Sequence, residues 1–175
     1  LKLRNKNLMW APMYDNLPFD WKYWIKIKYT NIKILCFSNK VKLHADKLGC
    51  QNIGLKYFIK PKEMVFKTPQ KTLNIFFWYR NDLKLRDWIG LFDLNKINKI
   101  IYFDSPDPGR KSEEFDKITL DKYKIELIKI SFLPHAEYIE YVKNCDVFIS
   151  PRKQEGIGMS FLEAISMGKY IVSND

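Results

Sequence analysis

Several things are missing from this sequence, and each absence removes a class of protein. No run of about 18 apolar residues is available to span a bilayer, and the opening Leu1-Lys2-Leu3-Arg4-Asn5-Lys6 lacks the apolar core of a secretory signal. A cytoplasmic chain is expected, at most one lying at the inner face of a membrane. Cysteine is scarce: Cys36, Cys50 and Cys145 are odd in number and lack the close pairing that zinc sites use, so reduced thiols are expected. Internal repeats and low-complexity tracts do not occur. No RRM, OB or helix-turn-helix pattern appears either, which leaves a nucleic-acid-binding reading resting on charge and aromatics alone.

Acidic residues are scarce in one region only. Residues 1–71 hold 15 Lys and Arg against 4 Asp and Glu, whereas residues 72–175 hold 15 against 16. All of the net +10 therefore arises in the first part, which implies two functional regions, one of them facing something anionic. With 175 residues, 46% apolar and 15% aromatic, the chain suffices for a packed core in one domain or two small ones.

The apolar patterning alternates strand and helix. Leu8–Ala11 reads as a short strand, and a helix after Asp20 places Trp21, Trp24, Ile25 and Tyr29 on one inward face. Ile32–Phe37 is a strand, a helix from Ser38 turns Val41, Ala45 and Leu48 inward until Gly49, and Ile53–Ile59 is a further strand. His44 carries no evident chemistry. Residues 59–71 contain Pro61, Pro69 and four lysines without apolar periodicity, and mark a linker between a first domain, 1–71, and a second, 72–175. The second begins with strand Leu73–Tyr79, followed by a helix carrying Leu85, Trp88, Ile89 and Phe92. Strand Lys99–Phe103, helix Glu113–Lys122, strand Ile125–Phe132 and a helix with Tyr138, Ile139 and Val142 inward come next. The acids of Asp104-Ser105-Pro106-Asp107 read as turn formers. The fold class is α/β with a Rossmann-like parallel sheet.

The most informative stretch is 146–172. Val147–Ile149 is a strand closed by Pro151; Phe161, Leu162, Ile165 and Met167 then recur at helical spacing until Gly168, and Tyr170–Val172 resumes the sheet. Gly156 and Gly158 allow the backbone to approach a ligand, and the amides opening the next helix favour an anion. Glu155 and Glu163 flank the glycines with seven residues between them. Carboxylates accept hydrogen bonds from vicinal hydroxyls, so the constellation suits an anionic centre with polyols on either side, as in a nucleoside diphosphate sugar. Ser160-Phe161-Leu162-Glu163 also fits a capping box, in which Glu163 only satisfies a backbone amide.

Glu155-Gly156-Ile157-Gly158 with Glu163-Ala164 and Gly168 resembles the donor-site signature of retaining glycosyltransferases, notably glycosyltransferase family 4, of the GT-B fold. The resemblance covers about residues 30–175, with its specific motifs at 146–172. It implies the following roles. Glu155 contacts the transferred sugar, Glu163 holds the ribose, and the amides of Gly156, Ile157, Gly158, Met159 and Ser160 face the diphosphate and sugar. Arg80, leaving the first strand of the second domain, matches a phosphate-binding arginine, although Tyr79 stands where the family has glycine. The family's lysine about five positions later is matched by Lys84, one place early, or by Arg86, one late. His135 falls where the family contacts the nucleobase.

An enzyme of this kind moves a sugar, with retention, from a UDP-, GDP- or ADP-sugar to a saccharide or lipid-linked acceptor, in cell-surface polysaccharide or lipopolysaccharide synthesis. It takes no cofactor. No DxD pair is present, so the leaving diphosphate would be neutralised by Arg80 with Lys84 or Arg86 and by helix amides instead of a metal. The basic region implies peripheral contact with an anionic membrane; nucleic acid is not an expected partner. A nucleic-acid-binding protein and a GT-B-fold sugar-nucleotide epimerase remain the alternatives. The family continues beyond Val172 with further strands and helices and has a much longer acceptor domain, so a partial chain is expected.

Overall fold

The computed structural model of the chain describes residues 8–14, 17–57, 59–60, 71–80, 83–105, 111–130, 133–150 and 158–173. The chain divides into two compact units, one of Leu1–Phe58 with Gln154–Gly158, the other of Ile59–Lys153 with Met159–Asp175. Residues 61–70 of the expected linker 59–71 and three of the expected site residues, Glu155, Gly156 and Ile157, lie outside the described residues.

In the first unit, β1 (Met9–Trp10), β2 (Lys33–Cys36) and β3 (Asn52–Gly54) form a parallel sheet in that order. α1 (Trp21–Tyr29) joins β1 to β2, and α2 (Asn39–Lys47) joins β2 to β3. Asp20 and Ser38 stand ahead of the two helices in extended conformation, and their side chains accept hydrogen bonds from Lys22 N and Lys40 N. Caps of this type contribute about 1 kcal/mol each. Val41 and Ala45 are buried as the pattern requires.

The expected inward face of α1 does not form. Trp24 is fully buried and its indole Nε1 donates to Pro18 O at 2.7 Å, whereas Trp21 is 57% and Tyr29 83% exposed. At about 100° per residue, Tyr29 lies about 140° around the helix from Trp24. The small core under the helix, built from Ile34, Cys36, Val41, Ala45 and Cys50, takes in the one indole. His44 packs between the Phe19 and Trp24 rings, with centroids at 5.0 and 4.8 Å. Burial pushes the Cys36 and Cys50 thiols above their ordinary pKa, and all three cysteines are buried, none of them in a disulfide among the described residues.

The second unit is a five-stranded parallel sheet. Its strands are β4 (Leu73–Tyr79), β5 (Ile97–Asp104), β6 (Ile125–Lys129), β7 (Val147–Ile149) and β8 (Tyr170–Val172), in spatial order β6-β5-β4-β7-β8. The helices are α3 (Leu85–Trp88), α4 (Lys117–Lys122), α5 (His135–Asn144) and α6 (Met159–Ser166). Alternation along β4 sends Ile75, Phe77 and Tyr79 to a core shared with Leu85 of α3, and Phe76 with Trp78 to a core shared with Tyr138, Ile139 and Val142 of α5. The chain builds outward from β4 through β5 and β6; α5 then returns it to the other side of β4. Between β4 and β7 the winding reverses, and parallel sheets bind ligands in the crevice beyond the strand ends at such a point.

Three local expectations need correction. The helix after β4 stops at Trp88 and gives way to 3-10 turns at Ile89–Leu91 and Leu94–Lys96, with Phe92 already extended. Gly90 disfavours a longer helix there. The expected helix Glu113–Lys122 starts only at Lys117, where Asp116 accepts from Thr119 N at 2.7 Å. Glu113 is drawn inward instead, and its carboxylate accepts from Leu85 N, Arg86 N, Arg86 Nε and Tyr102 OH at 2.7–3.3 Å. It thus satisfies the opening amides of α3, for which Lys84 offers no side-chain cap. In α6, Ala164 is the innermost residue and Ile165 is 54% exposed; the small side chain lets the helix approach Phe148, whose ring meets that of Phe161 edge-on. Gly168 ends α6 in the expected left-handed conformation, φ +71°. Among the described residues, no helix is long and apolar enough to cross a membrane.

Candidate functional site

A pocket of about 390 Å³ opens on the α5 and α6 side of this sheet. Trp78 near the end of β4, Phe103 near the end of β5, and Leu133, Tyr138 and Met159 give it an apolar, largely aromatic wall. Ser105, His135, Ser160 and Glu163 supply the polar groups. A concave apolar site with a few convergent polar groups is the usual form of a small-molecule site.

Strand alternation explains the wall. Trp78 and Phe103 are the last residues of their strands on this face, so their rings stand at the carboxyl edge, 5.6 Å apart by centroid, with Trp78 also 5.5 Å from Tyr138. Two donors in the wall, Trp78 Nε1 and Tyr138 OH, are buried without a hydrogen-bond partner. The Tyr138 hydroxyl is held far above the ordinary phenol pKa, chiefly by burial and then by the Glu163 carboxylate. Among the described residues, such orphan groups mark this wall as polar-capable as well as apolar.

The expected site residues divide by position. Arg80 follows β4 directly, and its guanidinium lies 5.1 Å from the Trp78 ring centroid, against the pocket wall. Gly158 has φ +66°, a conformation that favours glycine, immediately ahead of α6. Met159, Ser160 and Glu163 line the pocket from the first turns of α6. Ser160 is already inside the helix, so the capping-box geometry does not arise; Glu163 instead meets His135, Oε1 to Nε2 at 2.8 Å. Lys84 is exposed in extended backbone ahead of α3. Arg86 is engaged elsewhere: Nε donates to Glu113 Oε1 at 2.7 Å and Nη2 to Glu114 O at 2.8 Å, and the carboxylate raises the guanidinium pKa.

Sequence reasoning did not find Trp78, Phe103 and Tyr138. Their signal was present in the strand alternation, since the final outward-pointing ring on each central strand must border whatever lies beyond the strand end. Glu113 had no comparable signal, because its partners are 11 to 28 residues away.

Comparison with known proteins bears on the fold that holds these residues. Residues 108–175, which include β6, β7, β8, α5 and α6, match the model of the family "Glycosyl transferases group 1". The likeness is to that stretch, less than half of the chain. The match includes the strand-loop-helix-strand unit and both Glu163 and His135 of the pocket. The chain is also similar to a solved structure, the pneumococcal O-GlcNAc transferase GtfA in complex with UDP and GlcNAc, with a TM-score of 0.62 and 13% identity. That match covers 97% of this chain and 37% of that one, and at such identity it shows the fold, Rossmann-like parallel sheets of the GT-B class. A comparison with curated proteins finds no match.

Proposed function

We propose that the second unit binds the nucleoside diphosphate part of a sugar donor, and that the protein transfers that sugar, with retention, to a saccharide or lipid-linked acceptor. One observation carries the reading: Glu163 lines the aromatic pocket at the carboxyl edge of β4 and Arg80 lies against the Trp78 ring of its wall, beside the point where the sheet winding reverses. The pocket is large enough for a nucleoside, and the two groups differ in chemistry as the two ends of a nucleoside diphosphate do. Arg80 suits phosphate, with Lys84 as the nearer candidate for a second cation because Arg86 is spent on Glu113. Glu163 suits ribose hydroxyls. Family resemblance assigns Glu155 to the sugar and Gly156, Ile157 and Gly158 to the diphosphate. No cofactor or metal enters this reading; positive side chains and helix amides stabilise the leaving diphosphate.

Basic surface in the first unit supports an anionic acceptor side. α1 contains no acid and exposes Lys22, Lys26 and Lys28 together with Trp21 and Tyr29, the mixture that settles at an anionic bilayer surface, where each lysine contributes about 1 kcal/mol. A cytoplasmic protein visiting the inner membrane face to build cell-surface saccharide fits that surface. Titration calorimetry with UDP, GDP and ADP tests the donor site: one of them should bind, and Glu163→Ala should weaken it. Co-sedimentation with vesicles tests the membrane side, where salt-sensitive binding to anionic but not neutral lipid is expected. Preference for duplex DNA or RNA over vesicles would move the reading to nucleic acid.

A further inference from the structure

We infer that His135 is a positioning residue: it holds the Glu163 carboxylate ready for the ribose hydroxyls of the donor and does not itself read the nucleobase. This rests on the donor-site reading above. His135 opens α5 and Glu163 lies in α6, 28 residues later, yet Nε2 and Oε1 are 2.8 Å apart. The glutamate side chain is 18% exposed and the imidazole 70%. Among the described residues, His135 is the one side chain bonded to that carboxylate, since the nearby Tyr138 hydroxyl makes no hydrogen bond. The imidazole is itself steadied against the Tyr138 ring, centroids 6.0 Å apart.

A carboxylate offers about four acceptor positions on two oxygens. His135 occupies one on Oε1 and leaves Oε2 for a diol. Without it, Glu163 would have to be ordered at the moment of binding, which weakens affinity through lost side-chain freedom. The bond therefore preorganises the acceptor without filling it.

The experiment is calorimetric titration of the full chain with UDP and with 2′,3′-dideoxy-UDP, for the wild type, His135→Ala and His135→Gln. Removing the imidazole should weaken UDP about fivefold, the scale of one hydrogen bond, and leave the dideoxy probe and the ligand-free melting temperature unchanged. His135→Gln, which keeps a donor, should restore most of the UDP affinity. Equal losses for both probes would put His135 on the base, and undiminished UDP affinity in His135→Ala would remove any role; either overturns the inference while the donor site stands. A lowered melting temperature with no selective loss for UDP would make the bond merely structural. Failure of the wild type to bind UDP, GDP or ADP would instead take down the donor-site reading and this inference with it.

Discussion

The two faces of the five-stranded sheet carry the same kinds of group in opposite states. On one face Glu113 meets Arg86 and Tyr102; on the other Glu163 meets His135 and stands near Tyr138. Glu113 is 2% exposed and accepts four hydrogen bonds, two of them from the backbone of α3. Among the described residues Glu163 accepts one, and it borders a pocket in whose wall the Tyr138 hydroxyl is unbonded. A saturated carboxylate has nothing left to offer a ligand and serves the fold; one with open acceptor positions at a cavity can serve binding. Identity of the side chains does not separate the two roles. The count of donors already spent does.

Removing Glu113 should give the largest effect. Glu113→Ala strips the acceptor from the buried amide of Leu85 and the buried Tyr102 hydroxyl, and leaves Arg86 without its carboxylate. Breaking a buried charged network costs about 3 kcal/mol or more, read by urea denaturation. Nucleotide affinity of the molecules that remain folded should not change. A stability loss under about 1 kcal/mol would show that water replaces the carboxylate easily and would erase the distinction between the faces.

Glu163 and Arg80 should show the reverse pattern. Glu163→Ala is expected to weaken nucleoside diphosphate binding about tenfold, as for one charge-assisted hydrogen bond, while ligand-free stability shifts by less than about 0.5 kcal/mol. Loss of stability with unchanged affinity would make Glu163 a structural residue, through its bond to His135. For Arg80→Ala the contrast lies between ligands: a diphosphate should lose about tenfold and the bare nucleoside nothing, because only the phosphates of the ligand offer the guanidinium a charge-assisted bond. Equal losses for UDP and uridine would put Arg80 outside the phosphate site.

How far this was legible from sequence follows from range. β4, α5 and the Gly168 stop were readable because they are short-range patterns: an apolar run, inward positions at helical spacing, a glycine where a left-handed residue is needed. The β-α-β unit at 147–172 was readable for the same reason, and it positions Ser160 and Glu163. What failed depended on distant partners. α1 has six large apolar or aromatic residues, yet only Trp24 is buried in the small core beneath it, with Ile27 packed at its edge. Residues 113–116 have a helical pattern, yet Glu113 is pulled inward by α3 and Tyr102. The pairing of His135 with Glu163 joins two helices and has no local signature. Arg86 was as good a phosphate candidate as Lys84 until Glu113 appeared beside it.

The smallest effect expected is at Asp104, the last residue of β5 and the place where the first face is imperfect. It is 3% exposed, and neither carboxylate oxygen has a hydrogen-bond partner of good geometry. Burial is the main cause of its raised pKa; Ser112 and Lys129 favour the ionised form without overcoming it, and Glu113 opposes it. A carboxyl whose folded-state pKa is raised stabilises the fold below its unfolded value, about 3.9, and that stability is lost as pH rises through the folded pKa. At neutral pH the charge is therefore a modest burden. Asp104→Asn removes the ionisation at nearly constant volume and should raise the melting temperature at pH 7, with the gain shrinking as the pH falls toward the ordinary carboxylate range. A gain that is constant with pH would trace the effect to packing. A lower melting temperature at pH 7 would show that the ionised Asp104 has a stabilising partner, and that this face, like Glu113 within it, is saturated throughout.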